Sequence, residues 1–116
     1  MSLLARVVDE QRDDVSIAAI DGEVDVSNAA EISQRLRALL TNRSTGLVVD
    51  LSATTYLDSA GINLLFELSA ELAHRQQTLQ LVLPADSPIV RTFRIAGVVE
   101  AIPTHATVEA ALAQRD

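Results

Sequence analysis

Apolar and polar positions along the chain follow two periods, which predict an ordered series of strands and helices. Short apolar runs rich in Val, Leu and Ile are typical of strands that are covered on both faces. The hairpin at the start is predicted to turn at the charged residues 9–14, and Pro103 is predicted to stop the last strand, an edge strand. The predicted strands cover residues 4–8, 15–20, 47–51, 79–83 and 98–102.

Apolar residues spaced three and four apart predict the helices between these strands. The first helix places Ala29, Ile32, Leu36, Leu39 and Leu40 on one face, and the second places Ile62, Leu65, Phe66, Leu68 and Leu72 on one face. We therefore expect Leu65 and Leu68 to be buried. The spacing of Asn28 and Glu31 matches a capping box at the start of the first helix, with Ser27 as the alternative cap. That helix is predicted to stop within residues 42–46.

Two further helices are predicted in the last third of the chain. Ser87 and Pro88 open the third helix with proline at its first position, and Gly97 ends it. Thr107 caps a final helix that reaches about Gln114. The order is therefore β-β-α-β-α-β-α-β-α, in which strand–helix–strand crossovers require parallel neighbours. We expect one α/β domain over residues 1–116, a mixed β-sheet with helices packed mainly on one face.

Composition narrows the class of protein. The 116 residues carry a net charge of −7 with a pI near 4.6, which argues against direct binding of nucleic acid, since that depends on basic patches over phosphates. Hydrophobic residues make up 48% of the chain, but no apolar run approaches the roughly 18 residues that span a bilayer. The first residues lack the pattern of a secretory signal. We therefore expect a cytoplasmic protein that does not bind membranes.

The residues offer little catalytic or metal-binding chemistry. Four glycines lie far apart, so neither a dinucleotide-binding fingerprint nor a P-loop can be built. The chain has no cysteine, and His74 and His105 are too distant in sequence for a helical metal pair. A triad of Ser59 with a histidine and an aspartate is conceivable, but nothing in the sequence places a histidine beside the serine. We expect no enzyme activity, no cofactor and no metal.

The tetrapeptide Asp58-Ser59-Ala60-Gly61 lies between a predicted strand and a predicted helix. Unpaired N–H groups and the dipole at a helix start favour an oxygen acceptor or a phosphate. Ser59 has two interpretations, because serine is a preferred N-cap and is also a phosphate acceptor. Asp58 is expected to bind loop amides and Asp50 to cap its adjacent loop. Asp25 is expected either to cap the first helix or form the turn into it, or to bind a partner.

These residues resemble a known family. The sequence Leu-Val-Val-Asp-Leu-Ser at 47–52, followed by Leu-Asp-Ser-Ala-Gly-Ile at 57–62, is similar to the signature of the STAS domain. The likeness is to the bacterial anti-sigma factor antagonists in particular. Residues 22–25, 88–98 and 108–112 resemble further family segments in the same order, so the resemblance covers nearly the whole chain. It implies the same fold as the pattern of strands and helices.

The resemblance also implies a function. In that family the serine of the tetrapeptide is phosphorylated by an anti-sigma factor that is a serine kinase, and a phosphatase restores it. Carried over, Ser59 is the phosphorylation site, and Asp25, Asp58, Ser59 and Asn63 lie on the partner-binding face, with Asp58 positioning its loop. Asn63 stands where many relatives have a small residue. A monomer is expected. The alternatives are a STAS scaffold subunit of a transporter or signalling assembly, or a nucleotide-sensing module.

Overall fold

A single mixed β-sheet organises the part of the chain that the structure describes. The computed structural model describes residues 4–40 and 44–114. The strands are β1 (Ala5–Arg12), β2 (Val15–Val24), β3 (Gly46–Asp50), β4 (Thr54–Leu57), β5 (Thr78–Val82) and β6 (Thr104–His105). The helices are α1 (Ala29–Arg37), α2 (Ser59–His74), α3 (Val90–Ala96), α4 (Val98–Ala101) and α5 (Val108–Ala113). No helix within these ranges has the length and apolar character that a membrane crossing requires.

The sheet confirms the predicted mixed α/β fold. Its strand order is β1-β2-β3-β5-β6, and β4 pairs with β2 beside this path. The β1–β2 hairpin is antiparallel, whereas β2–β3, β2–β4, β3–β5 and β5–β6 are parallel. The hairpin turn lies at Asp13 and Asp14. The predicted turn over residues 9–14 was too long, because the exposed polar end of β1 continues to pair with β2 up to Arg12.

Alternation along the strands divides the core between the two faces of the sheet. On β3, Leu47 and Val49 face the larger cluster, which includes buried residues of α1, α2, α3 and α4. Val48 faces the other side, where α5 covers a smaller cluster. Helices therefore pack mainly on one face, as expected. Leu65 and Leu68 of α2 are both buried, which confirms the predicted apolar face of that helix.

The short strand β4 was not predicted. It exists because β2 is ten residues long and pairs with β3 only through Ala19. The remaining end of β2 then accepts Thr54, Tyr56 and Leu57 as parallel neighbours, with a register shift between the first of these pairs and the second. A local pattern of four residues with polar flanks gives no sign of this pairing, because the partner lies about thirty residues earlier in the chain.

The prediction of an edge strand over residues 98–102 was wrong. Val98 to Ala101 forms the short helix α4, in which the Ile102 N–H donates to the Val98 carbonyl at 2.8 Å. Val98 and Ile102 are buried, whereas Val99 is 47% exposed, which is the spacing of a helix. Two adjacent valines favoured a strand in the sequence, but packing of positions four apart against the larger cluster decided the helix. The edge strand is β6, which follows Pro103.

The helix boundaries differ in detail from the predicted ones. α1 ends at Arg37, earlier than predicted, while residues 41–43 lie outside the described residues. α3 begins at Val90, so Pro88 lies in the preceding turn, where the Ser87 hydroxyl accepts from the Ile89 N–H at 3.2 Å. Gly97 ends α3 with φ +74°, and the Thr107 hydroxyl caps α5 by accepting from the Ala110 N–H, both as predicted.

Gly22 is required by its position in the hairpin. Its φ is +123°, and a Cβ there would lie 2.1 Å from the Leu4 carbonyl oxygen. We expect Gly22→Ala to lower the free energy of unfolding by about 2–5 kcal/mol, because backbone strain and overpacking add together. Gly97→Ala is the matched control, since its φ is +74° but a Cβ would meet no atom within 4 Å. Urea denaturation of both variants measures the difference, and equal losses would contradict the steric explanation.

Candidate functional site

The carboxyl ends of β2 and β4 meet side by side and bring the predicted site together. Val24 pairs with Leu57, and the Asp58 N–H donates to the Val24 carbonyl at 3.3 Å. Asp25 and Asp58 each follow one of these paired residues, so the loops that carry them are adjacent. The two loops therefore share one edge of the sheet.

Gly61 holds the start of α2 against both strands. A Cβ at this position would lie 2.7 Å from Leu57 Cδ1 and 3.2 Å from Val24 Cγ1, so the helix approaches closely because the side chain is absent. The glycine is buried, although it lies only two residues from the exposed Ser59. Its packing role explains the glycine of the tetrapeptide without any contact to a ligand.

Asp58, and not Ser59, is the N-cap of α2. Its Oδ1 accepts from the Ala60 N–H at 2.9 Å and from the Gly61 N–H at 3.3 Å. The interpretation of Ser59 as the cap was wrong, because Asp58 already fills that position with an extended backbone and a charged acceptor. The predicted role of Asp58 in binding loop amides is confirmed.

Ser59 is the first residue of a 16-residue helix, and it is exposed. A helix of this length carries a partial positive charge at its start, which favours an anion there. Neither histidine is near. His74 is exposed at the opposite end of the same helix, and His105 is half-buried in β6. Neither histidine is therefore placed to form a catalytic pair with Ser59.

The loop that carries Asp25 is held by its own hydrogen bonds. The Oδ1 of buried Asn28 accepts from the Asp25 N–H at 2.9 Å, and its Nδ2 donates to the Glu23 carbonyl at 2.8 Å. Asn28 occupies the N-cap position of α1, but its side chain does not cap the helix, so the predicted capping box was wrong. Asn28 was missed as a residue of the site, because a buried asparagine that fastens a loop has the same sequence pattern as a cap.

The Asp25 carboxylate accepts from the backbone N–H of Ser27 at 2.8 Å and from the Ser27 hydroxyl. The hydroxyl contact is the main cause that lowers the pKa of Asp25, followed by the backbone contact. The carboxylate is therefore ionised at neutral pH and closes a tight turn. This structural role is the one that we had left open for Asp25, and it leaves the loop at the surface beside Asp58.

Two shallow depressions flank α2 at its start. One has a volume of about 280 Å³ and is lined by Asp58, Ser59, Ile62, Asn63, Thr92, Ile95 and Ala96. The other, about 470 Å³, lies between α1 and α2 and is lined by Val26, Ala29, Ala30, Ser33, Gln34, Arg37, Ala60, Asn63, Leu64 and Glu67. Asn63 is exposed and lines both, so it forms the ridge between them.

An exposed aliphatic side chain borders each depression. Val26 is 81% exposed and Ile95 is 79% exposed, more than any other large apolar residue of the described chain. Neither was predicted for the site. The signal in the sequence was an apolar residue that falls outside the core-facing pattern of its segment, as Ile95 does beside buried Phe93.

The remaining candidate residues have structural roles. Asp50 accepts from the Ser52 N–H at 3.0 Å and from its hydroxyl at 2.6 Å, which confirms the predicted loop cap. Thr54 is fully buried and donates to the Ile20 carbonyl at 2.7 Å, whereas Thr55 is exposed on β4. Within the described ranges, no group of three or more His, Asp or Glu residues is placed to hold a metal ion.

Comparison with known proteins identifies the family of this arrangement. The family model of the STAS domain matches residues 6–111. The chain belongs to the STAS domain family. A STAS protein from Bordetella bronchiseptica, the putative anti-sigma factor antagonist BtrV, is 32% identical over 102 residues, which is 87% of this chain and 86% of BtrV.

Two mycobacterial STAS relatives extend the comparison. The anti-sigma-F factor antagonist RsfB of Mycobacterium tuberculosis is 33% identical over 58 residues, so the match covers 50% of this chain and about half (48%) of RsfB. The crystal structure of an anti-sigma factor antagonist from Mycobacterium paratuberculosis superposes with a TM-score of 0.80 at 28% identity. That superposition covers 97% of this chain and 95% of the mycobacterial chain.

The cap geometry predicts how the two neighbouring residues differ in stability. Asp58→Ala should lower the free energy of unfolding by about 1 kcal/mol, because it leaves two helix N–H groups without their acceptor. Ser59→Ala, the matched control at the next position, should change stability by less than about 0.5 kcal/mol, as is usual for exposed residues. Chemical denaturation measures the free energy of unfolding of both variants. A larger loss for Ser59→Ala than for Asp58→Ala would mean that Ser59 is the cap.

The lowered pKa of Asp25 predicts a pH dependence of the loop. Because the folded state favours the carboxylate, its stabilising contribution is present above the pKa of the unfolded chain and is lost as the pH falls through the lower folded pKa. An NMR titration of the Asp25 carboxyl carbon should therefore have its midpoint below that of an unfolded aspartate. Ser27→Ala should raise the midpoint, whereas Ser52→Ala, which removes the same contact from Asp50, should leave it unchanged.

Proposed function

We propose that this STAS protein is an anti-sigma factor antagonist, a binding protein and not an enzyme. The observation that carries the proposal is an exposed serine on a preformed helix start, surrounded by a surface with two unfilled depressions. The names of the relatives BtrV and RsfB support this function. The unphosphorylated protein would bind an anti-sigma factor of the serine-kinase type, release the sigma factor and so permit transcription.

The proposed docking surface combines apolar contact with few fixed charges. Ile95 and Val26 would lose exposed apolar area on docking, which is the main favourable term in protein association. Among the residues that the structure describes, Asp58 is the one charged residue that lines the depression between α2 and α3, and its carboxylate is already bonded to α2. Asn63 offers both a donor and an acceptor on the ridge. Asp25 would contribute a further acceptor from the adjacent loop.

Phosphorylation of Ser59 would switch this surface off. The modification adds about −1.5 to −2 charges at neutral pH. Within the described part of the chain, the depression beside Ser59 is lined by no cationic side chain and already includes Asp58, so docking would bury the phosphate without a counterion from this lining. The cost of desolvation and like-charge repulsion would then oppose docking. The kinase partner would supply ATP and catalysis, and a phosphatase would restore the hydroxyl.

The same modification would leave the fold intact. Ser59 is exposed and makes no contribution to the core, and a negative charge at the first residue of α2 suits the helix dipole. The switch would therefore act on binding and not on stability. The effect on transcription would be indirect, because a chain of net charge −7 does not favour contact with nucleic acid phosphates.

Paired variants of Ser59 test the switch. Ser59→Ala should bind the purified anti-sigma kinase as well as the wild type but accept no phosphate, whereas Ser59→Asp should bind at least tenfold more weakly, a loss of about 1.4 kcal/mol. Thr45→Asp is the charge-matched control, because Thr45 is exposed and precedes β3 at the opposite end of the sheet. It should bind like the wild type. Calorimetry gives the affinities, and mass spectrometry after incubation with ATP locates the phosphate.

Two results would contradict the proposal. Equal binding by the alanine and aspartate variants, with no phosphate on Ser59, would favour the alternative of a passive STAS scaffold. A melting temperature that rises with added nucleotide in the absence of any partner would favour the nucleotide-sensing alternative, since a ligand stabilises the state that binds it.

A further inference from the structure

The strand β1 lies at one edge of the sheet and has β2 as its strand neighbour. The Leu4 carbonyl accepts from the Glu23 N–H, so the backbone groups of even-numbered β1 residues point toward β2. Odd-numbered residues point outward, as the Val7 carbonyl shows by accepting from the Arg35 guanidinium at 3.1 Å. An edge of eight residues with outward-pointing backbone groups is a template for another strand.

The side chains on the open face of this edge alternate in character. Arg6, Val8 and Glu10 lie on the face opposite to Ala5 and Val7, which belong to the larger core cluster. Val8 is 56% exposed and is among the few large apolar residues left at the surface. Arg6 and Glu10, with side chains 70% and 56% exposed, lie at equal distances along the strand on either side of Val8.

We infer that β1 pairs antiparallel with β1 of a second copy of this chain, about a two-fold axis at Val8. In this register Val8 faces Val8 of the second copy, Arg6 faces Glu10 of the second copy, and Glu10 faces Arg6. Opposite charges directly across an antiparallel pair stabilise it. The Val7 N–H would donate to the Asp9 carbonyl of the second copy, and the Asp9 N–H of the second copy would share the Val7 carbonyl with the Arg35 guanidinium. A monomer was expected from the family resemblance, and the edge strand argues for a dimer instead.

The charges of the strand select this register over its neighbours. A shift of two residues in one direction would place Arg6 against Arg12 and Asp9 against Asp9. A shift of two residues in the other direction would place Val7 against Val7 and Arg6 against Val8, so it creates no like-charge pair but loses both Arg6–Glu10 pairs. A shift of four residues places either Arg6 against Arg6 or Glu10 against Glu10. Like charges directly opposite one another destabilise a pair of strands. The alternation about Val8 therefore favours the symmetric pair centred on Val8 over the shifted registers.

Arg35 and the existing ion pairs fit the same arrangement. Asp9 of the second copy would face Val7, beside the Arg35 guanidinium that already reaches this edge. Glu10 is paired with Arg12 at 3.0 Å and Arg6 approaches Asp21 at 3.9 Å, so the new contacts would extend two existing pairs. Three arginines (6, 12 and 35) and four carboxylates (9, 10, 21 and 31) lie along this edge, so its charges are nearly balanced although the whole chain carries −7.

A charge reversal tests the register on the full chain. Sedimentation over a concentration series should show the wild type approaching a dimer. Arg6→Glu or Glu10→Arg alone should weaken association roughly tenfold or more, because the two-fold axis repeats each like-charge contact. The double reversal, Arg6→Glu with Glu10→Arg, should restore it. A wild type that stays monomeric at every concentration overturns the inference, and so does a double reversal that stays as weak as the single ones.

A cysteine tests the axis independently of charge. The chain has no cysteine, so Val8→Cys introduces a single thiol. Across a non-hydrogen-bonded antiparallel pair the Cα atoms lie about 4.5 Å apart, within the range of a disulfide. Under mild oxidation Val8→Cys should form a covalent dimer at least tenfold faster than Val99→Cys, the control on the exposed side of α4. Equal rates of disulfide formation by the two cysteine variants would mean that Val8 does not lie at a two-fold contact. Because Val8→Cys changes no charge, this test remains valid if a charge variant fails to fold.

Discussion

The parallel pairing of β4 with the last residues of β2 is the constraint on which the site depends. β2 is ten residues long and pairs with three strands. β1 lies along one side of β2, and β3 followed by β4 lies along the other side. The exchange of β3 for β4 occurs between Ala19, the last residue that pairs with β3, and Gly22, the first that pairs with β4. Because β4 continues directly into α2, this exchange sets the helix start beside the loop of Asp25, and Gly61 keeps the contact close.

The start of α2 separates stability from the proposed signal. Asp58 satisfies the first helix N–H groups, so the neighbouring Ser59 has no capping task and remains exposed. A group that changes charge at Ser59 can therefore alter what docks there without loosening the core. The Asn28 side chain supports the adjacent loop in a similar way, because it binds the backbone of Asp25 and Glu23 from a buried position. Asp58 and Asn28 therefore both support the site through polar contacts with backbone groups a few residues away.

Much of the fold could be predicted from local pattern. The apolar run at 47–51 and the helical spacing from Ile62 to Leu72 each carry enough signal to define an element, and their order requires parallel crossovers. The errors arose where the local signal was weak or ambiguous. Two valines at 98 and 99 suit a strand as well as a helix, and Asn28 suits a cap as well as a buried loop anchor. In both cases contacts with distant parts of the chain decided the outcome.

The amino-acid sequence by itself determined the class of fold, the position of Ser59 at a helix start and the acidic, cysteine-free character of the chain. These follow from periodicity and composition, which each short segment carries on its own. Only the tertiary structure decided that Asp58 caps the helix, that β4 joins β2, and that Val26 and Ile95 border the depressions beside Ser59. The physical reason is that capping geometry, strand exchange and exposure depend on which distant backbone and side-chain groups occupy the neighbouring space.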